Sequence, residues 1–234
     1  MKAKLITALL AATLATAQAQ PQARKGPEIG FLGGPGAMIF YRPFEKDATL
    51  PMSGGLAGLS MQYNFTKIVA LRSEINYERK GALSQLNFNG NNGQNGYSAN
   101  VVYNRLHYIT VPVMAKLSFG RRVQFFTNIG LYAGFKVKAT ETVSSTFIGV
   151  GDGALSTNRE RNDITPTVAK VDGGLVTGIG LTTHFAKRAS FLFELRNNLG
   201  FADIHTAAAN SLKQHNNATY MLFGFAFNLS KNER

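Results

Sequence analysis

The sequence has no cysteine and no tryptophan, and only 16% of its 234 residues are charged. Without cysteine there can be no disulfide, no thiolate chemistry and no lipid-bearing cysteine behind a leader. Nor does any stretch approach the roughly eighteen uninterrupted apolar residues that a membrane-crossing helix needs. Histidine is also scarce, at four. What the chain has instead is glycine, at 24, together with 17 phenylalanines and 8 tyrosines. Few charges and many glycines do not describe a surface facing water, which is normally dense in Lys and Glu of mixed sign.

The first residues, MKAKLITALLAATLATAQAQ, place Lys2 and Lys4 before an apolar run from Leu5 to Ala15 and then small residues at Ala17 and Ala19. This is the pattern of a secretory leader, residues 1–19, cut before Gln20; residues 20–234 are then expected to form one domain. The formal net charge of +12 falls to +10 when Lys2 and Lys4 leave. Such a balance suits anionic lipid or lipopolysaccharide phosphates, and export argues against nucleic acid. The basic residues are dispersed, so the charge reads as general attraction.

Ile109 to Val137, ITVPVMAKLSFGRRVQFFTNIGLYAGFKV, carries the clearest organisation. Ile109, Val111, Val113, Ala115, Leu117 and Phe119 recur at every second position, and after Gly120 the alternation resumes from Val123 to Val137. Pairing Phe119 with Val123 leaves a three-residue connection and keeps both apolar series on one face. These strands exceed the usual five or six residues and reach the roughly nine to eleven that a tilted strand needs to cross a bilayer.

The same period recurs along the chain. Expected strands run over Glu28 to Met38, Met52 to Phe65, Ile68 to Lys80, the two just described, Val168 to Phe185, Ser190 to Ile204 and Tyr220 to Leu229. In the third, Val69, Leu71, Ile75 and Tyr77 alternate with Arg72, Glu74, Asn76 and Glu78. Short turns fall at Asn64 to Lys67, Gly120 to Arg122 and Ala186 to Ala189. Long polar connections fall at 40–51, 81–100, 139–167 and 203–217, of which 81–100 reads as a mobile connection and 139–167 as a second long polar loop.

Eight strands with alternating short and long connections put both termini and all short turns at one end. This predicts an all-β, eight-stranded antiparallel up-and-down transmembrane β-barrel in an outer membrane, its short turns and termini periplasmic and its long loops extracellular. A soluble barrel with an apolar core shares the period. The other face decides between them. It is full of glycine, at Gly54, Gly58, Gly130, Gly134, Gly174, Gly178, Gly180 and Gly224, which suits a crowded lumen.

The leader, the opening IGFLGG, the strands LRSEINYERKGA and YITVPVMAKLSF and the closing YMLFGFAFNLS resemble the PorT-like family of small outer-membrane β-barrels over nearly the whole mature chain. The resemblance implies an integral outer-membrane barrel of a Gram-negative envelope and an accessory role in protein secretion. It transfers no functional residue.

Two sets of residues stand out as candidate sites. Arg72, Glu74, Glu78, Lys116, Glu194 and Arg196 fall on the polar face and are expected to form an ion-pair network filling the lumen; a narrow ion path, in a small channel or small-ligand carrier of the outer membrane, is the alternative. Phe88 and Tyr97 in one long loop, and Phe147, Arg159 and Arg161 in another, are candidates for recognising a glycan or another envelope or secretion protein, while a solvated, variable loop is the other reading. No catalytic set is specified. His107 lies near Ser98, and His205 and His215 near Ser211, without a triad spacing, while His184 has no such neighbour. Asp152, Glu160 and Asp163 lack the regular acidic spacing of a calcium loop. The glycine runs lack the ending of a phosphate-binding loop. No enzyme activity, metal or cofactor is expected.

Overall fold

The structure is a computed structural model that describes residues 25–42, 49–90, 96–121, 123–149, 155–186, 188–205 and 213–230, with backbone alone at 84–90 and at 96. The expected leader, Asp152 and Ser211 lie outside the described residues. Among the described residues nine strands follow one another: β1 (Gly26–Tyr41), β2 (Met52–Asn64), β3 (Val69–Gly90), β4 (Gly96–Gly120), β5 (Val123–Gly149), β6 (Leu155–Asp163), β7 (Val171–His184), β8 (Ala189–Gly200) and β9 (His215–Asn228).

All pairings are antiparallel, and eight of the strands close on themselves. The order β4-β3-β2-β1-β9-β8-β7-β5 is completed by pairing of β4 with β5. Each of those eight therefore has a neighbour on both sides, which satisfies its backbone groups without water, as a wall in hydrocarbon demands. β6 stands outside the ring and pairs with the upper half of β5 alone.

Alternation sorts the side chains as the two solvents require. Leu59, Met61, Ile75, Phe125, Ile129, Leu131 and Ile179 are exposed on the outer wall, while Asn76, Glu78, Met114, Asn128, Glu194 and Arg196 are buried inside. In water the outer set would cost roughly 1.5–3 kcal/mol per large side chain; against lipid it costs nothing. Phenylalanine clusters near the short-turn end of the wall. Phe225 there meets Phe31 at 5.5 Å, Phe191 at 5.4 Å and Phe185 at 6.3 Å between ring centroids.

Three expectations are corrected. Residues 81–90 and 96–100 of the expected loop are strand: β3 continues to Gly90 and β4 begins at Gly96, paired from Gly81 opposite Arg105 to Gly90 opposite Tyr97 with one register shift between Ser84 and Leu86. The segment 139–167 likewise holds the upper half of β5 and the whole of β6. Ladder hydrogen bonds override the low strand propensity of Asn and Gly here, a context effect that propensity scales do not contain. Finally, Phe119 faces Phe125 and Gly120 faces Gln124, so the β4–β5 register lies two residues from the expected one. A shift of two keeps every side chain on its own face. Gly120 takes φ +116°, a left-handed backbone that suits glycine at the turn.

Together β3, β4, β5 and β6 rise beyond the ring as a four-stranded sheet. Gly81 marks where β3 leaves the barrel. Its φ of +148° is again a glycine conformation, and a Cβ there would lie 2.6 Å from the Met52 methyl.

Candidate functional site

In a ring of eight, the third and seventh strands face each other across the full diameter. Here those are β3 and β8, and each carries charges at the same height. Arg196 on β8 donates through Nη1 and Nη2 to the two oxygens of Glu74 on β3, at 2.6 and 2.8 Å. It also donates through Nε and Nη2 to its near neighbour Glu194, at 2.7 and 3.0 Å. Arg72 on β3 completes the set, its Nε 2.7 Å from Glu74 Oε1 and its Nη1 3.3 Å from Glu194 Oε2. Asn76 donates to Glu74 Oε2 at 2.8 Å and Asn128 to Glu194 Oε1 at 3.0 Å, each sharing its oxygen with Arg196. Two guanidinium groups and two carboxylates thus form a neutral strut across the lumen, all four side chains no more than 1% exposed. Ions so far from water survive only when paired and hydrogen-bonded in this way.

A second layer lies toward the projecting sheet. Lys80 on β3 lies 2.9 Å from Asp172 on β7 and 3.3 Å from Glu78, with its ammonium 4.2 Å from the centre of the Tyr132 ring. Asp172 also accepts from Tyr132 at 3.2 Å and from Asn216 on β9 at 3.1 Å, and Glu78 accepts from Asn198 on β8 at 2.7 Å. The sequence reading includes Glu78 but passes over Lys80 and Asp172, although both stand at polar positions of their strands.

Lys116 is a correction. It does not join the ion pairs: it donates to Gln62 Oε1 at 3.3 Å and sits 4.3 Å from the centre of the Phe126 ring, near the short-turn end. Glu28, Gln124, Thr182 and His184 line the polar vestibule around it.

Close approach explains several of the lumen glycines. A Cβ at Gly178 would lie 2.6 Å from Glu194 Oε1, and one at Gly180 would lie 2.5 Å from Phe126 Cζ. Gly178→Val should therefore push the strut apart and cost about 1–3 kcal/mol, measured as a lower urea midpoint for the protein folded in lipid. An unchanged midpoint would mean the strut has room to move.

The second candidate set, placed by sequence on two separate loops, comes together on the one projecting sheet. Tyr97 is 61% exposed on β4 and faces Ile148 on β5, which in turn faces Leu155 on β6, 71% exposed. Phe147 lies between Ser98 and Ser156 in register, on the opposite face. Arg159 and Arg161 are exposed on β6, as is every residue of that strand. The backbone of Phe88 pairs with Ala99, while its side chain lies outside the described residues.

The histidines stay apart. His107 accepts from or donates to the Tyr77 hydroxyl at 2.6 Å on the outer wall, and by alternation Ser98 faces the other side of β4. His184 meets Gln124 at 3.3 Å, and His215 meets the Ala202 carbonyl at 3.0 Å. His205 lies 3.5 Å from Asp203. That carboxyl is held below its ordinary range: partial burial alone would raise it, but backbone N–H groups of His205 and Gln214 and the nearby imidazole outweigh the effect. Glu160 and Asp163 alternate onto opposite faces of β6. Among the described residues no group of three His, Asp or Glu side chains is placed to hold a metal ion.

No curated protein matches the chain. Among solved structures it is similar to the attachment invasion locus protein Ail of Yersinia pestis, at 12% identity over 87% of this chain and 100% of that one, with a TM-score of 0.40. It is similar to Neisserial surface protein A at 12% identity over 86% of this chain and 97% of that one, with a TM-score of 0.44. A third is OprG of Pseudomonas aeruginosa, at 13% identity over 89% and 100% of the two chains, with a TM-score of 0.40. The model of the outer membrane protein beta-barrel domain matches residues 17–206, which span β1 to β8. With most of its length matched and its strands closed into a lipid-facing ring, the chain belongs to the outer membrane protein beta-barrel domain family.

Proposed function

We propose that the protein is a non-enzymatic outer-membrane scaffold. Its lumen is closed by its own charges, and it holds the sheet β3–β4–β5–β6 clear of the bilayer to bind another envelope or secretion component. The observation that carries this reading is the strut from β3 to β8. Any passage along the axis must cross a plane where Arg72, Glu74, Glu194 and Arg196 are buried against one another. That closure leaves the outer strands as the working surface. Barrels of this layout keep short turns in the periplasm and longer segments outside, so the sheet is read as extracellular and the termini as periplasmic. The PorT-like resemblance supports a secretion protein as the partner class.

Planar-bilayer recordings on refolded protein test the closure, with no steady conductance expected. A steady conductance that Arg72→Gln or Glu74→Gln abolishes would overturn it and establish the narrow channel instead. A shortened protein tests the display: residues 83–103 and 141–163 are each replaced by a two-residue turn. It should still shift on a denaturing gel between boiled and unboiled samples, yet lose its cross-links to other envelope proteins. Cross-links that persist would remove the sheet as the binding surface.

A further inference from the structure

On the outer wall, one rank above the apolar belt, the register lines up cations. Arg79 on β3 faces His107 on β4, which faces Lys138 on β5. Arg105 on β4 and Arg161 on β6 stand just above on the same face, by alternation from His107 and by pairing through Thr142. Arg79, Arg161, Lys138 and Arg105 all act electrostatically on the His107 ring. The opposing charge on this face is Asp163, which faces Thr140 in register, accepts the Thr165 N–H at 2.8 Å, and makes no ion pair within 4.0 Å among the described residues. The cluster therefore keeps an excess of positive charge.

Its height matters as much as its sign. From Phe119 to Ile109, β4 supplies about the nine to eleven residues that a tilted strand needs to cross hydrocarbon. The rank Tyr77–Ile109–Phe135 closes that span, with Tyr77 47% and Phe135 54% exposed. The next outward rank is Arg79–His107–Lys138. Arg79 donates through Nη2 to the Ser53 carbonyl at 3.2 Å, while its buried Nε has no hydrogen-bond partner among the described residues. Arg105 is held by Thr142 Oγ1 at 3.2 Å, with its guanidinium 5.2 Å from the Tyr103 ring centre. These are cations fixed at headgroup height above a strip that would take acyl chains.

We infer that the outer face of β3–β4–β5 binds a lipid-borne phosphate, with Arg79, Lys138, Arg105 and Arg161 holding the phosphate and Tyr77, Ile109 and Phe135 receiving the chains. Guanidinium groups suit phosphate because their planar donors engage two oxygens at once. With the sheet extracellular, as proposed above, the lipid at this height is the phosphorylated glucosamine lipid of the outer leaflet. A glycerophospholipid headgroup offers the same chemistry.

The test is titration of the refolded full barrel, in zwitterionic detergent, with bisphosphorylated lipid A, dephosphorylated lipid A and phosphatidylglycerol, read by native mass spectrometry. This readout depends neither on the orientation in the membrane nor on the lumen being closed. Lipid A should bind in a phosphate-dependent way. Arg79→Gln/Lys138→Gln should weaken it about thirtyfold, from roughly 1 kcal/mol per cation near a lipid surface, while Lys67→Gln/Arg188→Gln at the other end leaves it unchanged. Phosphatidylglycerol binding as tightly with the same loss would keep the phosphate site and assign it to a glycerophospholipid. Equal binding by wild type and variant, or equal binding of lipid A with and without its phosphates, would overturn the site. Should the first variant fail its boiling-dependent gel shift, Arg105→Gln/Arg161→Gln carries the same comparison.

Discussion

Arg196→Met is expected to destabilise the folded barrel by about 3–5 kcal/mol, the usual cost of removing one member of a buried ion pair. Arg196 donates to both Glu74 and Glu194 from opposite sides of the lumen. Without it, two carboxylates face each other with only Arg72 to compensate them. Replacing Arg72, Glu74, Glu194 and Arg196 together by Met and Leu of similar volume should cost far less than the single change, because no charge is then left unpaired. The measurement is the urea midpoint of unfolding from lipid, for the single and the fourfold variants side by side. A single-variant loss below about 1 kcal/mol would show that water reaches these groups as it reaches surface ion pairs, and the closed-lumen proposal would fall with it.

Lys80→Met should have an effect of similar size, about 3–5 kcal/mol, but one that a second substitution largely removes. Lys80 is the cation between Glu78 and Asp172, and those two carboxylates are otherwise held by Asn198, Asn216 and the Tyr132 hydroxyl. Adding Asp172→Asn to Lys80→Met removes one of the two negative charges left behind and leaves Glu78 with its Asn198 donor. The double variant should therefore recover a good part of the lost stability, a departure from additivity typical of residues sharing one network. If the two substitutions instead add, Lys80 and Asp172 are not coupled and the second layer is not a unit.

Much of the barrel was legible in the sequence because the wall of a membrane barrel separates two unlike solvents. Leu71, Ile75 and Tyr77 against Arg72, Glu74 and Glu78 can be read as a strand without any partner in view. Beyond the ring the sheet no longer separates lipid from a packed lumen, so the part of β3 from Gly81 to Gly90 and the strand β6 carry no such sustained alternation in sequence. Only their pairing with β4 and β5 reveals them. Lys80 escapes the pattern for a related reason: it stands where the alternation fades, next to Gly81. The pairing of Arg72 and Glu74 with Glu194 and Arg196 could have been found by counting, since the third and seventh strands of an eight-strand ring are opposed. Lys116, on the fourth strand and close to its turn, is off that diameter, which is why alternation alone grouped it with ions it does not meet.

The strut also bears on how the chain arrives at its native state. Its contacts between β3 and β8 join residues 122 positions apart, so they cannot form while either hairpin inserts by itself. A ring closed two residues out of register would still present an apolar wall to lipid, because the faces repeat every second residue. It would leave Glu74 and Arg196 at different heights, each without its counter-ion in a low-dielectric interior. The charges at the centre of the lumen therefore proofread assembly: they reward only the one closure that brings both halves of the strut level.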